Sequence, residues 1–469
     1  MRNKLFGVIS IVICAAICMS FAGCSNGEKG EGDKKEPVKT EPFEPVTDRG
    51  EESELYKRYA EYKENAELAF KNNSPVKADS LEYENVEGGV AVKEYKGEDN
   101  IVVLPENING EPIVKICAGA FGGASLRAVY LPDSVKIVEK GAFEACDGLS
   151  TLRLPIIGDG AENAYLGYAF GASAPDENAV KVPPSLDMLI LGDSVTEIAD
   201  DAFLGCKTLS AVILPDSVKS IGSTAFYECA DLVYLTLGGG IESIGEYAFA
   251  YCRALYSIDV STANTVGNGA LFDCTALNNI KLTSRENDFL GRIFGAEKPE
   301  YNADFVSESL RRVEIAEGSK TVPNRMFASC KYITEVLLPE SLESIGIRAF
   351  YACRSLGKIE MTYVKEVSDD AFFGCDNLGT VELGDALKTL GMQAFFGCKA
   401  LKSISLPKTL TNLRSSTFYG CSSLVTVELG GVKKIGKDAF SGCVKLTPVS
   451  TEGIEIAEGN EALIPGTQE

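Results

Sequence analysis

The sequence predicts an α+β to mostly β solenoid, a single right-handed stack of about 14 coils with a parallel sheet along one face. Three observations support this prediction. An Ala-Phe or similar pair recurs with a usual step of 22 or 23 residues, a cysteine follows most of these pairs, and apolar residues alternate within each unit. A fixed period of about 20 to 29 residues indicates stacked coils, none of which closes a core without its neighbours.

Composition supports a folded chain and excludes several classes of function. Of the 469 residues, 45% are hydrophobic and 24% are charged, which is typical of a chain that buries a core. The chain has no His, so Ser-His-Asp and Cys-His catalytic arrangements and imidazole metal sites are excluded. Lys and Arg number 45 against 67 acidic residues, a net charge of -22. We therefore expect no nucleic-acid partner, because binding phosphate requires a basic face.

The N-terminus has the pattern of an export signal. A basic start precedes an apolar run from Leu5 to Phe21, and the sequence FAGC, ending at Cys24, resembles the lipobox of bacterial lipoproteins. This resemblance implies that residues 1–23 are a signal peptide and that Cys24 is lipidated. The alternatives are an uncleaved membrane helix and ordinary secretory cleavage. At 17 residues, the run is at the short limit for crossing about 30 Å of hydrocarbon, which favours the lipoprotein.

Two segments separate this signal from the repeats. Residues 24–50 contain Gly, Glu, Lys and Pro with few apolar residues, so they cannot offset the entropy of folding and are predicted to form a disordered tether. Residues 51–72 carry apolar residues at helical spacing, among them Leu55, Tyr59 and Phe70, and acidic residues lead the segment. This pattern predicts one amphipathic helix.

One unit shows the repeat clearly. Leu209, Val212 and Leu214 follow a Leu-x-x-Ile-x-Leu pattern, whose period of two predicts a strand with the leucines facing inward. Pro215 then ends the hydrogen-bonded ladder. Gly222 precedes the Ala-Phe pair and is expected to lie at a second bend with positive φ. The pattern predicts a leucine-rich solenoid with one strand and a short return arm per coil.

The recurring phenylalanines and cysteines are expected to fill the core. The ladder phenylalanines are Phe143, Phe203, Phe226, Phe249, Phe350, Phe372, Phe395, Phe418 and Phe440. The phased cysteines are Cys146, Cys206, Cys229, Cys252, Cys274, Cys330, Cys353, Cys375, Cys398, Cys421 and Cys443. Side chains that repeat in parallel hold their Cβ atoms farther apart than a disulfide requires, so we expect a buried, reduced column. Their spacing supplies no local pair for zinc, and no metal site is predicted.

The pattern resembles the BspA-like, Treponema pallidum-type leucine-rich repeat family of bacterial surface proteins, in residues such as LPDSVKSIGSTAFYEC. The resemblance covers about residues 81–449. It implies a capping segment over 81–116, a repeat solenoid over 117–449, and a C-terminal cap and tail over 450–469. It also implies adhesion to host proteins or to neighbouring bacteria.

Two coils depart from the norm, because Phe170 to Phe203 and Phe294 to Phe327 each take 33 residues. The two insertions match each other position by position, which indicates a duplicated structural variant. An enzyme using Asp176, Glu177, Glu297 or Glu300 is a weak alternative. Only Asp176 and Glu300 coincide in the alignment, which leaves one acid per insertion where acid-base catalysis usually needs two.

Between the inward leucines, alternate side chains line the other face of the sheet, which such solenoids commonly use for ligands. In the first half we expect an exposed apolar patch that marks a partner site. The candidate binding residues are Tyr130, Met188, Ile190, Ala211, Ile213 and Tyr234. Strand propensity alone, or an insertion loop covering the patch, explains the same residues equally well. The later coils carry Glu314, Glu335, Glu360, Glu382 and Glu428, for which solvated edge charge is the favoured interpretation.

These observations predict a lipid-anchored, exported and monomeric cell-surface protein that binds another extracellular protein or cell-surface macromolecule. Neither catalysis nor a cofactor is expected. The alternative is a glycan-binding module for polysaccharide capture. The absence of Trp argues against that alternative, while Tyr130 and Tyr234 leave it open.

Overall fold

The structure is a computed structural model that describes Phe70 and residues 73–160, 163–285 and 288–463. The expected signal peptide, Cys24 and the tether lie outside the described residues, as do residues 464–469 of the predicted C-terminal tail. Of the predicted helix over 51–72, the structure describes Phe70 alone before Asn73, and its backbone is helical. Among these described residues, no helical stretch has the length and apolar character that crossing a bilayer requires.

The first strands form a lead-in to the repeats. A 3-10 helix at Ala78–Ser80 precedes them. They are β1 (Leu81–Val86), β2 (Gly89–Tyr95), β3 (Ile101–Val103), β4 (Asn107–Ile108) and β5 (Glu111–Ile116). The β1–β2 pair is an antiparallel hairpin, and β2 then pairs in parallel with β5. This arrangement joins the hairpin to the first coil of the stack.

The repeats add strands of two to four residues in a regular order along the chain. In the first half these are β6 (Ala128–Tyr130), β7 (Ile137–Val138), β8 (Thr151–Leu154), β9 (Met188–Leu191), β10 (Glu197–Ile198), β11 (Ala211–Ile213), β12 (Ser220–Ile221), β13 (Tyr234–Thr236), β14 (Ser243–Ile244), β15 (Ser257–Asp259), β16 (Thr265–Val266) and β17 (Asn279–Leu282). In the second half they are β18 (Arg312–Ile315), β19 (Thr321–Val322), β20 (Glu335–Leu337), β21 (Ser344–Ile345), β22 (Lys358–Met361), β23 (Glu366–Val367), β24 (Thr380–Leu383), β25 (Thr389–Leu390), β26 (Ser403–Ser405), β27 (Asn412–Leu413), β28 (Thr426–Glu428), β29 (Lys434–Ile435) and β30 (Glu455–Ile456).

These strands form two parallel stacks. The front sheet comprises β3-β6-β8-β9-β11-β13, then β15-β17-β18-β20-β22-β24, then β26-β28. The side sheet comprises β5-β7, β10-β12-β14-β16, β19-β21-β23-β25 and β27-β29-β30. The result is a β-solenoid of about 16 turns, which confirms the predicted fold with a slightly larger coil count. The two end turns account for the difference. They bury Tyr95 and Leu463 in place of the recurring Phe on which the predicted count rests.

A single ladder of aromatic rings runs through the core. All nine phenylalanines named above are fully buried, and neighbouring rings from Phe203 to Phe249 and from Phe327 to Phe440 stack with centroids 4.7 to 5.5 Å apart. In one coil Leu271 takes the ladder position, and Phe272 lies outside it against Tyr251. The ladder residue stands three positions before the coil's cysteine, which identifies Leu271.

Hydrogen bonds connect each coil to its neighbours at the level of this ladder. The backbone N–H of Phe226 donates to the carbonyl oxygen of Ala248 at 2.7 Å. The thiol of Cys229 donates to the carbonyl oxygen of Phe203 at 3.2 Å, and eight other ladder cysteines make the same bond. All twelve described cysteines are free thiols, as predicted for the reduced column. Burial raises the pKa of the Cys146 thiol to about 11, so the neutral thiol is its form at neutral pH.

The bend before each Ala-Phe pair differs from the expectation. Gly222 does not adopt a positive φ; instead, Thr224 two residues later does, with φ of 53°. Glycine is required at 222 because a Cβ there would overlap the backbone nitrogen of Asp200 in the preceding coil. The same pair of positions recurs as Gly391 and Gln393, the latter with φ of 54°. Close stacking, rather than left-handed geometry, therefore explains the recurring glycine.

The two long coils hold their extra residues with a buried asparagine. The helices α1 (Asn178–Lys181) and α2 (Asn302–Phe305) occupy equivalent positions. Asn178 accepts a hydrogen bond from the backbone N–H of Gly167 at 2.7 Å, and Asn302 accepts one from Gly291 at 2.8 Å. The remaining 3-10 helices are Leu166–Phe170, Pro175–Glu177, Leu290–Phe294, Pro299–Tyr301 and Glu461–Leu463. The insertions are thus two copies of one hydrogen-bonded loop.

Candidate functional site

The front sheet positions its side chains by strand alternation. In the parallel register, Leu189 aligns with Val212 and Leu235, and these residues point into the core. The flanking residues therefore face outward on the front side. Aligned from coil to coil, the outward residues are Met188, Ala211 and Tyr234 in one row, and Ile190, Ile213 and Thr236 in the next. This register places the predicted patch residues side by side.

The expectation that this patch is exposed is wrong for five of its six residues. Met188 and Ala211 are 0% exposed, and the other three are 7% exposed. The five form a second hydrophobic cluster, outside the main core, with Phe70, Val103 and Val233. The residue that covers them from outside the repeats is Phe70. Among the described residues, no insertion loop contributes to this cluster. The affected residues are Met188, Ile190, Ala211, Ile213 and Tyr234.

Phe70 is the residue from outside the repeats that packs on this cluster. Its side chain is 7% exposed, and its ring centroid lies 5.4 Å from that of Tyr130. The chain after Phe70 is attached to the same face, because the backbone N–H of Val76 donates to the carbonyl oxygen of Val103 at 2.9 Å. An aromatic side chain from outside the repeats therefore lies on the front sheet.

A cavity of about 650 Å³ remains open beside Phe70. Its apolar wall consists of Phe70, Val103, Leu104, Tyr130, Ile190, Leu191, Ile213 and Leu214. Its polar lining consists of Asn73, Glu106, Arg153, Asp193 and Asp216. Cavities of about 300 to 1,000 Å³ with mainly apolar walls and a few polar groups are typical of ligand sites.

Arg153 organises one end of this cavity. Its guanidinium donates to Asp133 at 2.7 Å and to the carbonyl oxygen of Leu131 at 2.7 Å. The same group lies 4.5 Å from the centre of the Tyr130 ring. Burial raises the pKa of the Tyr130 phenol, which therefore stays protonated at neutral pH. The charge of Arg153 is neutralised by Asp133, and the remaining charged groups at the cavity are acidic.

The second half of the front face is polar and exposed. Lys281 pairs with Glu314 at 2.9 Å, and Lys358 pairs with Glu382 at 3.0 Å, in each case between neighbouring strands. Arg312 and Glu335 make a similar pair, and Glu360 and Glu428 are also engaged, with Lys358 and Ser405 respectively. Four of the five glutamates therefore pair with a basic side chain on the same face, and Glu428 accepts a hydrogen bond from Ser405.

Two of the four candidate carboxylates in the insertions have structural partners. Glu177 accepts a hydrogen bond from the backbone N–H of Ser173 at 2.7 Å, and Glu300 pairs with Arg325 of the following coil. Asp176 and Glu297 are exposed on the surface of their loops. In the part of the chain that the structure describes, no group of three or more His, Cys, Asp or Glu is placed to hold a metal ion.

Comparison with known families agrees with this geometry. The BspA type leucine-rich repeat region matches six copies over residues 103–163, 177–298, 301–383 and 359–458. The chain belongs to the BspA-type leucine-rich repeat family. The matched residues span most of the solenoid, apart from residues 164–176 and 299–300 in the two long coils, and confirm the resemblance found in the sequence. No curated protein matches the chain significantly.

Solved bacterial leucine-rich repeat proteins resemble this BspA-type chain. A leucine-rich repeat protein from Bacteroides ovatus is 22% identical, with 82% of this chain and 99% of that chain covered and a TM-score of 0.34. A leucine-rich cell surface protein from Faecalibacterium prausnitzii is 23% identical, with 83% and 97% covered and a TM-score of 0.31. The leucine-rich repeat protein of T. pallidum is 19% identical, with 80% and 91% covered and a TM-score of 0.16.

Proposed function

We propose that this protein is exported, anchored by lipid at Cys24, and binds other proteins at the cell surface through its front sheet, without catalysing a reaction. The observation that carries the proposal is the contrast between a repeated core and a front face whose outward residues change from coil to coil. A rigid sheet that displays variable side chains in register is suited to recognising a macromolecular surface. We further expect the protein to act as a monomer.

Lipid anchoring is supported by the FAGC sequence and by the basic and apolar run before it. Two or more acyl chains hold a protein stably on a membrane, whereas one chain binds reversibly. Mass spectrometry of the exported protein should show an acylated N-terminus at Cys24, and the Cys24→Ser variant should lack both the acyl mass and the corresponding cleavage. Identical processing of the two proteins would contradict the anchor.

Protein binding can be separated from glycan binding on the target cell. Residues 24–469 carrying Cys24→Ser, produced without the apolar signal segment and fluorescently labelled, would be added to epithelial cells and to bacteria that had been treated with protease, with glycosidases or with buffer alone. We expect protease to abolish binding and glycosidases to leave it intact. Loss after glycosidase treatment alone would support the glycan alternative, and no binding to any surface would contradict adhesion.

The positions of the two tyrosines favour the protein partner. Stacking on a sugar requires an open ring face. Tyr130 is flanked by Phe70 and by the Arg153 guanidinium, and Tyr234 is 7% exposed. Tyr234 is therefore buried, and the half-buried Tyr130 already contacts two side chains, so protein binding is the function that we propose.

A further inference from the structure

We propose that the cavity beside Phe70 binds a segment of a partner protein that carries an aromatic or large aliphatic side chain next to lysine or arginine. This inference rests on the proposed function and specifies its partner at one end of the front sheet. It follows from the apolar wall of the cavity, from the charges at its edge, and from the aromatic side chain that already lies there.

The apolar wall matches a large hydrophobic side chain. Ile190, Ile213 and Tyr130 line the cavity from three different coils, and Phe70 also contributes to its apolar wall. Phe70 shows that this face accepts an aromatic ring, since its own side chain is buried against Tyr130 there. The open volume of about 650 Å³ remains after Phe70 is in place. A second apolar side chain can therefore enter without displacing the first.

The edge of the cavity matches positive charge. Glu106, Asp193 and Asp216 follow the ends of three front strands at the same edge of the sheet, and all three are exposed. None of the three forms an ion pair within the described residues, although Asp216 accepts a hydrogen bond from the backbone N–H of Gly239 at 2.7 Å. Arg153 brings no excess positive charge, because Asp133 pairs with it. The charges that the described residues place around the apolar wall are therefore net negative, which favours cationic groups on the partner.

The test uses three short labelled peptides as probes for residues 24–469 carrying Cys24→Ser, produced without the apolar signal segment. They are Gly-Lys-Lys-Phe-Lys-Lys-Gly, the same peptide with Phe replaced by Ala, and the same peptide with every Lys replaced by Glu. Fluorescence anisotropy at low salt would measure the Kd of each. We expect only the Lys-Phe peptide to bind, with an affinity that falls as salt is added.

The protein variants locate the binding. The double variant Asp193→Lys, Asp216→Lys reverses two charges at the cavity. The matched control Asp259→Lys, Glu428→Lys reverses two exposed charges on the front sheet away from the cavity. We expect the Kd of the Lys-Phe peptide to rise about tenfold in the cavity variant and less than about twofold in the control. Circular dichroism would verify that both variants are folded.

Several results would overturn the proposal: equal binding of the Lys and Glu peptides, equal effects of the two double variants, or no binding of any peptide. The cell-binding assay keeps this failure distinct from failure of the proposed function. If no peptide binds while the same protein still binds target cells in a protease-sensitive way, the cavity assignment falls and the surface-binding function stands.

Discussion

The two halves of the front sheet share one backbone and differ in their outward chemistry. From β6 to β13 the outward residues are mainly apolar and mostly buried, and Phe70 packs against several of them. From β15 to β28 they are mainly polar and half-buried or exposed, with Leu337 as an apolar exception, and cross-strand pairs such as Lys281 with Glu314 connect neighbouring coils. Beneath both halves runs the same ladder of aromatic side chains and cysteines. The comparison shows that the repeated core determines the geometry of each coil. The outward residues can differ, and they form two different surfaces.

The largest expected effect tests what the halves share. Phe249→Ala in the first half and Phe395→Ala in the second should each lower the free energy of unfolding by about 3 to 5 kcal/mol, because both rings are fully buried in the ladder. Denaturant unfolding would measure both values, with Phe272→Ala as a half-buried control outside the ladder. A cost confined to one half would show that the core is not common to the two.

The next effect tests the stacking distance in each half. Gly222→Ala and Gly391→Ala should each destabilise by about 1 to 3 kcal/mol, since a Cβ at either position overlaps backbone of the preceding coil. Gly357→Ala is the control, because a Cβ there meets nothing within 4 Å. Thermal melts of the three variants would be compared. Neutral substitutions at 222 and 391 would contradict the close approach of coils.

The third effect separates the halves. Phe70→Ala should lower the free energy of unfolding by roughly 1.5 to 3 kcal/mol and increase binding of the dye ANS, because apolar side chains of the first half become exposed. Phe70→Leu, which retains an apolar cover, should show a smaller change in both measurements. If Phe70→Ala left stability and ANS binding unchanged, the cover over the first half would not contribute to folding.

The smallest effect belongs to the second half. A double-mutant cycle on Lys281 and Glu314, with Ala at each position, should give a coupling of about 0.2 to 1 kcal/mol, because both side chains are 39% exposed. Repeating the cycle at 1 M salt should remove most of this coupling by screening. A larger, salt-independent value would mean that the second half is held together by its surface charges.

The repeat was predictable because its signal is local and recurs many times. Val212 and Leu214 give the strand period, Pro215 marks its end, and the step between coils gives the solenoid. The buried ladder follows from the same step, since equal coils align equal positions. The sequence also identifies Leu271, and not Phe272, as the ladder residue of its coil, because Leu271 lies three positions before Cys274.

The cover on the front sheet was not predictable in the same way. Phe70 and Ile190 are 120 residues apart, and no periodic pattern relates them. The helical spacing around Phe70 indicated an apolar side that needs a partner, without indicating which surface it contacts. The outward apolar residues likewise indicated that something covers or binds them. Contacts of this kind depend on tertiary packing, and the structure shows that Phe70 packs against these outward residues.

The capping of the last turn likewise depends on a single side chain. Where other ladder phenylalanines such as Phe226 and Phe395 donate their N–H to a backbone carbonyl of the next coil, Phe440 donates to the Asn460 side chain at 3.1 Å. Asn460 in turn donates to the carbonyl oxygen of Gly436 at 3.0 Å. One asparagine in the final segment gave no signal above other polar residues in the sequence.

The thiol and amide bonds between coils have a consequence for how such a chain changes over generations. Each ordinary coil offers its neighbour the same carbonyl oxygens and receives the same donors, as Cys375 with Phe350 and Cys398 with Phe372 illustrate. Any such coil can therefore follow any other. Recombination that duplicates or deletes a whole unit would lengthen or shorten the protein without creating an unsatisfied junction, provided that the turns containing Tyr95 and Asn460 remain as its two ends.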